Sequence, residues 1–193
     1  MRWVRSASTE WQMTRNEPRS SGEVVANPLD PADSRYPEFG FLLGYWNRLR
    51  GPRIGPSRRE IDPVELKRVL PRLALVDVLS SRKDFRFRLV GTDIHNLHNC
   101  DLTGRLVSQL RPDAYRDMLL EHFLEVAATG RPNAHEVRFV TEAGLSRHYA
   151  ALRLPLSTDG QTVDCLLTID NYGDHWSDLH PYFDRLYERA GRS

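Results

Sequence analysis

Two histidines and one cysteine, in the run His95-x-x-His98-x-Cys100, form the most suggestive local cluster of reactive side chains. Imidazole and thiolate groups are the ligands that zinc prefers. A zinc site would need a fourth ligand or a water, and no second Cys/His pair is evident. If His95 and His98 share a helix face, Cys100 points elsewhere. We therefore predict turn or surface histidines here and no metal site.

The remaining candidates for catalysis do not form a set. Cys165 lies in an alternating apolar run, which predicts a small buried hydrophobe. Asp164 and Asp170 could work as paired carboxylates, but they flank a predicted strand and are expected to be solvated. The sequence contains no nucleophile elbow, P-loop, GxGxxG or HExxH motif. We predict that the protein is not an enzyme.

Length and composition restrict the classes of protein further. The chain has 193 residues, enough for one domain with extensions, and a formal net charge of +1. Near balance of charge argues against a dedicated nucleic-acid binder. No window approaches the length of an apolar membrane span, and the N-terminus lacks the apolar region of a secretory signal. We expect a cytoplasmic protein that binds neither nucleic acid nor membrane.

The hydrophobic pattern predicts one α+β domain over residues 36–175, with a disordered tail at 1–35 and a final helix within 176–193. Apolar residues at three- and four-residue steps predict helices, and alternating ones predict strands. The predicted helices are 37–50, 62–70, 112–129 and 177–189, and the predicted strands are 73–79, 85–90, 137–139, 148–154 and 163–169. These elements describe a five-stranded antiparallel sheet with helices on one face, plus an N-terminal aromatic helix.

Spaced motifs give the chain a family resemblance. They are Tyr45-Trp46 with Arg48, Gly51 and Pro56; Glu60-Ile61-Asp62-Pro63; Leu70-Pro71; the run from Phe85 to Thr92, with Arg88 and Gly91; and Asp101-Leu102-Thr103-Gly104. In this order they resemble the PAS_5 family, PAS-like proteins that are mostly alphaproteobacterial. The resemblance implies a PAS fold, a sensory or regulatory role in bacterial signalling and protein partners. It implies no known enzymatic activity and no cofactor general to the family.

Two hypotheses for function follow. The first is a non-catalytic regulatory module that acts through contacts with other signalling proteins. The second is a small-molecule or cofactor sensor with a pocket between the sheet and helices 92–128. The side chains predicted to line that pocket are Phe87, Arg88, His95, Phe123 and His148. His148 is also compatible with a histidine satisfied on a sheet face.

A resident cofactor is not expected. Light-sensing PAS relatives carry their flavin-adduct cysteine in the helical stretch where Asn99-Cys100 stands. The residues that follow, Asp101-Leu102-Thr103, differ from the Arg-Phe-Leu-Gln of those photosensors. We likewise expect no haem held by His95, His98 or His122.

Arg86 and Arg88 project from one face of a predicted strand. They either face cross-strand acids such as Glu136, or Arg88 binds the 92–104 segment or an anionic ligand. The basic loop 48–72 is set against an acidic C-terminal stretch, which favours self-association or an acidic protein partner.

The helix 37–50 is more aromatic than one buried face requires. We predict that it forms a homodimer or partner surface, although it could instead cap its own sheet. The residues of this predicted surface are Phe39, Leu42, Tyr45 and Trp46.

Overall fold

The computed structural model describes residues 3–5, 11–13, 16–20, 23–80, 83–140 and 144–173. The α-helices among them are α1 (Pro37–Arg50), α2 (Thr92–His98) and α3 (Asp113–Thr129). The strands are β1 (Trp3–Arg5), β2 (Trp11–Met13), β3 (Val24–Leu29), β4 (Leu73–Val78), β5 (Phe85–Val90), β6 (Asn133–Val140), β7 (Ser146–Leu156) and β8 (Cys165–Asn171). The predicted C-terminal helix lies outside the described residues.

One antiparallel sheet of six strands, in the order β3-β6-β7-β8-β4-β5, organises the domain. The α+β class is confirmed, and the predicted strand count is wrong by one. The additional strand, β3, lies inside the stretch predicted as a tail and pairs with β6. Asn27 and Pro28 break its apolar pattern. An edge strand tolerates such residues because one side of it needs no partner strand.

The sheet separates two hydrophobic cores. On one face, α2 and α3 cover side chains such as Phe87, Val137 and Ala151. On the opposite face, α1 covers side chains such as Leu152 and Leu167. Both faces of β7 are therefore buried over most of its length. A strand with strictly alternating polar and apolar residues would bury only one face.

Local sequence signals account for the ends of the helices. Pro37 begins α1, and Gly51, with φ +55°, follows its last residue. Gly130 ends α3 in the left-handed conformation and donates its N–H to the carbonyl of Val126. The predicted helix 62–70 is instead a series of turns that leads into the 3₁₀ helix Leu70–Arg72.

Among the described residues, no helix combines the length and the apolar character that crossing a bilayer requires.

Candidate functional site

Arg153 is the least expected side chain in the interior. It lies on β7, directly opposite Asn133 of β6 and Thr168 of β8, and only 1% of its surface is exposed. Its guanidinium carbon lies 5.5 Å from the centre of the Phe123 ring, a cation–π contact. Its Nε and Nη1 atoms have no hydrogen-bond partner among the described residues. A buried charge in this state costs free energy unless something else pairs with it.

Arg153 borders a small cavity between the sheet and the helices α2 and α3. The cavity has a volume of about 20 Å³, room for about one water molecule. Its apolar wall includes Phe87, Leu119 and Phe123. Its polar lining includes Arg153 and Asp170.

Two histidines stack beside this arginine. His122 of α3 and His135 of β6 have ring centres 3.7 Å apart and planes that differ by 5°. Both residues are buried, and the Nδ1 atom of each lacks a hydrogen-bond partner among the described residues. Burial lowers the pKa of His122, and the charges of Arg153 and His135 lower it further. Burial and the charge of Arg153 lower the pKa of His135 to about 4. Both rings are therefore neutral at pH 7.

The carboxyl group of Asp170 borders the same cavity and accepts a hydrogen bond from a neighbouring side chain. Its Oδ2 accepts a hydrogen bond of 3.0 Å from the hydroxyl of Tyr172. Burial raises the pKa of Asp170, while the charge of Arg153 and this hydrogen bond act in the opposite direction. The expectation that Asp170 is solvated is wrong, because the position faces α3 and the helical side of the sheet.

The structure brings together two of the five predicted pocket residues. Phe87 and Phe123 line the cavity, whereas Arg88, His95 and His148 do not. His95 is on the exposed side of α2. His148 is exposed, and by alternation along β7 it belongs to the face that α1 covers, with Ala150.

Arg88 has an internal partner on the neighbouring strand. Its Nε donates to both carboxylate oxygens of Asp77 on β4, at 2.7 and 2.9 Å. The expected partner, Glu136, lies on β6, three strands away from β4 in the sheet, and pairs with Arg138 and Arg35. Arg88 does face a cross-strand acid, as one of the two interpretations had it, but that acid is Asp77 and the suggested Glu136 is wrong.

The predicted dimer surface faces inward. Its four side chains pack against the protein's own sheet and are between 0% and 5% exposed. They are Phe39, Leu42, Tyr45 and Trp46. Trp46 donates from Nε1 to the carbonyl of Pro155, and the Tyr45 hydroxyl accepts the N–H of Asp62, both at 2.7 Å. The helix caps its own sheet, the alternative that the aromatic pattern left open.

The remaining family-motif residues shape the backbone around the sheet. Gly91 immediately precedes α2 as its N-cap residue and packs so closely that a Cβ would lie 2.3 Å from the carbonyl oxygen of Pro71. Gly104 has φ +82° and donates its N–H to the carbonyl of Phe87. Arg48 pairs with Glu65. Thr92 is the exposed first residue of α2.

The His95, His98 and Cys100 cluster does not converge. His95 is exposed and His98 is buried, while Asn99, at φ 46°, turns the chain before Cys100. Within the described part of the chain, no group of three His, Cys, Asp or Glu side chains is arranged to hold a metal ion.

Most of the basic loop 48–72 is balanced by nearby side chains. Ion pairs join Arg53 to Glu60 and Arg72 to Glu38. The guanidinium group of Arg68 stacks over the Phe41 ring at 4.2 Å. The loop is therefore less available to an acidic partner than its composition suggests.

The comparisons with known proteins agree with this architecture. The family model PAS_5, described as a PAS domain, matches residues 37–169. The chain belongs to the PAS_5 family. The match covers most of the chain and confirms the resemblance that the spaced motifs indicated. Comparison with curated proteins finds no match.

Solved structures that are similar to this PAS domain share few identical residues with it. The PAS domain of BvgS from Bordetella pertussis is 17% identical, with a TM-score of 0.43, covering 67% of this chain and 99% of that one. The light state of the blue-light photoreceptor Aureochrome1 LOV is 9% identical, with a TM-score of 0.41, covering 63% and 96%. A PAS domain from Colwellia psychrerythraea is 11% identical, with a TM-score of 0.40, covering 58% and 98%.

Sequence reasoning missed Arg153, His135 and the burial of Asp170. One signal was present, since Arg153 interrupts the apolar run from Ala150 to Leu156. A charged residue in the middle of a strand that is apolar on both faces indicates an interior charge with a specific role. No short-range pattern links His122 to His135, which lie 13 positions apart on different elements.

Proposed function

We propose that this PAS domain is a non-catalytic sensory module that takes up a small polar ligand between the sheet and the helices α2 and α3. The observation that carries the proposal is the buried guanidinium of Arg153, two of whose nitrogen atoms lack hydrogen-bond partners in the part of the chain that the structure describes. A ligand that accepts hydrogen bonds would satisfy those donors and offset the cost of burying the charge.

The volume of the cavity favours a small ligand. Sites for drug-sized molecules and cofactors enclose roughly 300 to 1,000 Å³. The space beside Arg153 is about 20 Å³, because side chains such as Phe87 and Phe123 fill the interior. A flavin or a haem would require these side chains to move apart. The polar lining of the cavity includes the donor Arg153 and the carboxyl group of Asp170, which already accepts a hydrogen bond from Tyr172, and this arrangement favours binding over catalysis.

Native mass spectrometry of the freshly purified full chain tests the proposal. We expect a bound small molecule in the wild-type protein that is lost in Arg153→Gln and retained in Arg88→Gln. Arg88 is a matched control because it is an arginine of the same sheet that already has a carboxylate partner. A wild-type mass equal to the sequence mass, with no thermal stabilisation by a panel of small polar compounds, would overturn the proposal.

The output of such a module is a contact with another signalling protein. Ligand binding beside Phe123 would alter the packing of α3 against the sheet, and the exposed side of α3 is accessible to a partner. Co-purification of wild-type and Arg153→Gln chains from the native cell tests this part. Identical partners at identical yield would argue against a coupling between the interior and the partner surface.

A further inference from the structure

We propose that the interior site binds a small oxyanion, such as a monocarboxylate, and that the stacked pair His122–His135 takes up a proton when the anion binds. This inference rests on the proposed function and specifies the class of ligand and its regulation. The geometry that supports it is a buried guanidinium with two nitrogen atoms unpaired among the described residues, an adjacent cavity of about 20 Å³, and two stacked imidazoles, of which His135 is diagonal to Arg153 in the sheet register.

The register of the sheet places these groups together. Arg153 on β7 lies directly opposite Asn133 on β6, and His135 lies two residues along β6 on the same face. His122 approaches from α3 and stacks on His135. The main-chain carbonyl of His122 accepts a hydrogen bond of 3.1 Å from Asn133. The pair and the arginine are thus fixed by one helix and two adjacent strands.

Charge favours an anion at this place. Arg153 brings one positive charge into the interior, and no carboxylate of the described residues is hydrogen-bonded to its Nε or Nη1. Asp170 is the acidic residue among the described side chains of the cavity; its Oδ2 accepts a hydrogen bond from Tyr172, and burial raises its pKa, which favours the uncharged carboxyl group. A guanidinium group binds carboxylates and other oxyanions through charge-assisted hydrogen bonds.

The other groups that face the histidine pair leave the arginine as its main electrostatic influence. From α3, Glu125 is exposed and is hydrogen-bonded to Asn133 at 2.7 Å. From β3, the residue opposite His135 is Pro28, which does not titrate. The remaining titratable side chains among the described residues of this cavity and core are His98, Cys100, Tyr115, Tyr149, Asp170 and Tyr172.

A bound anion would change the protonation of the pair. Burial and the charge of Arg153 both lower the two histidine pKa values in the free protein. An anion on Arg153 removes the second of these influences and adds an attraction for a proton, so the pKa values rise. By linkage, the anion binds more tightly as the pH falls from about 7 towards the low pKa of the free pair, by at most tenfold per pH unit for each proton.

Histidine NMR of the full chain during titration with sodium nitrate and with sodium formate tests the inference. Nitrate does not titrate, and formate stays ionised between pH 7 and 5.5, so any pH dependence belongs to the protein. We expect both anions to shift the ring signals of His122 and His135, and the affinity to rise about twofold to tenfold between pH 7 and 5.5. Arg153→Gln should abolish binding, and His95→Gln, an exposed control, should leave it unchanged.

The outcomes separate the two proposals. Binding of equal affinity at both pH values, with unchanged histidine pKa values, would overturn the proton-coupled inference and leave the proposed function intact. Failure of both anions to bind the folded wild-type chain would overturn the inference as well. In that case native mass spectrometry still tests the proposed function independently, because it would detect a bound neutral ligand. The wild-type titration alone gives these outcomes, so the folding of the variants does not limit the test.

Discussion

The indole Nε1 of Trp46 donates a hydrogen bond of 2.7 Å to the main-chain carbonyl of Pro155, and so joins α1 to β7. The bond is buried in a largely apolar interface, and a second hydrogen bond joins Asn171 of β8 to Glu38 of α1. Hydrophobic packing alone would allow α1 to slide along the sheet, whereas a hydrogen bond at a defined atom fixes its position. The residues predicted as a surface for a second chain are thus part of the core.

Trp46→Phe should lower the free energy of unfolding by about 1–3 kcal/mol, because it leaves the buried carbonyl of Pro155 without a donor. Urea denaturation followed by circular dichroism measures the change. Asn47→Ala, at the next and exposed position of α1, should stay within about 0.5 kcal/mol of wild type. If α1 were a dimer seam, Trp46→Phe would also lower the sedimentation mass of the protein, and we expect that mass to stay unchanged.

Gly91→Ala should destabilise the domain by at least about 2 kcal/mol. A Cβ there would lie 2.3 Å from the carbonyl oxygen of Pro71 and 2.4 Å from that of Leu70, and main-chain atoms cannot move aside cheaply. Thermal unfolding measures the effect. Gly40→Ala is the control, because a Cβ at Gly40 meets nothing within 4 Å. On an exposed helix position it should stabilise α1 by up to about 1 kcal/mol, and a loss of stability there would point to a close contact with another chain.

Stability should fall as the pH drops below about 6.5. The unfolded chain binds protons on His122 and His135 near the ordinary histidine pKa, whereas the folded pKa of His135 is about 4 and that of His122 is also lowered. The unfolded state then holds more protons, so the free energy of unfolding decreases by about 2 kcal/mol per histidine at pH 5. The raised pKa of Asp170 acts in the opposite direction and reduces the total.

Urea unfolding at pH 7 and pH 5 measures this loss of stability. His135→Gln should unfold with a weaker dependence on pH than wild type. His95→Gln should keep the wild-type dependence because His95 is exposed. Equal pH dependence in all three proteins would contradict the assignment to the stacked pair.

The two cysteines should differ in reactivity. Burial raises the pKa of the Cys165 thiol to about 12, while Cys100 is partly exposed after α2. Since the thiolate is the nucleophile, iodoacetamide at pH 8 should modify Cys100 and spare Cys165 in the folded chain. Peptide mass spectrometry after labelling reads this out, with urea-unfolded protein as the fully labelled reference. Rapid labelling of Cys165 under native conditions would show that β8 opens readily.

Several local features follow from the sequence alone. Pro37 and Gly51 bound α1, and the turn glycine Gly130 ends α3. The alternating run 85–90 predicts β5 correctly. The family motifs were sufficient to predict a PAS fold. The helix ends and β5 depend on residues close together in the chain, where period and backbone preference act directly, whereas the PAS fold was implied by the family resemblance.

Tertiary structure decided which face of each element meets which neighbour. Alternation along β7 separates Arg153 from His148 but does not say which of the two faces lies beneath α3. The partner of Arg88 depended on strand order. Arg88 lies on β5, next to β4, which carries its partner Asp77, whereas Glu136 lies on β6, three strands away from β4. The stacked histidines meet only because α3 folds over β6. Strand order and helix placement are set by long-range packing, and the sequence around any one of these residues carries no record of it.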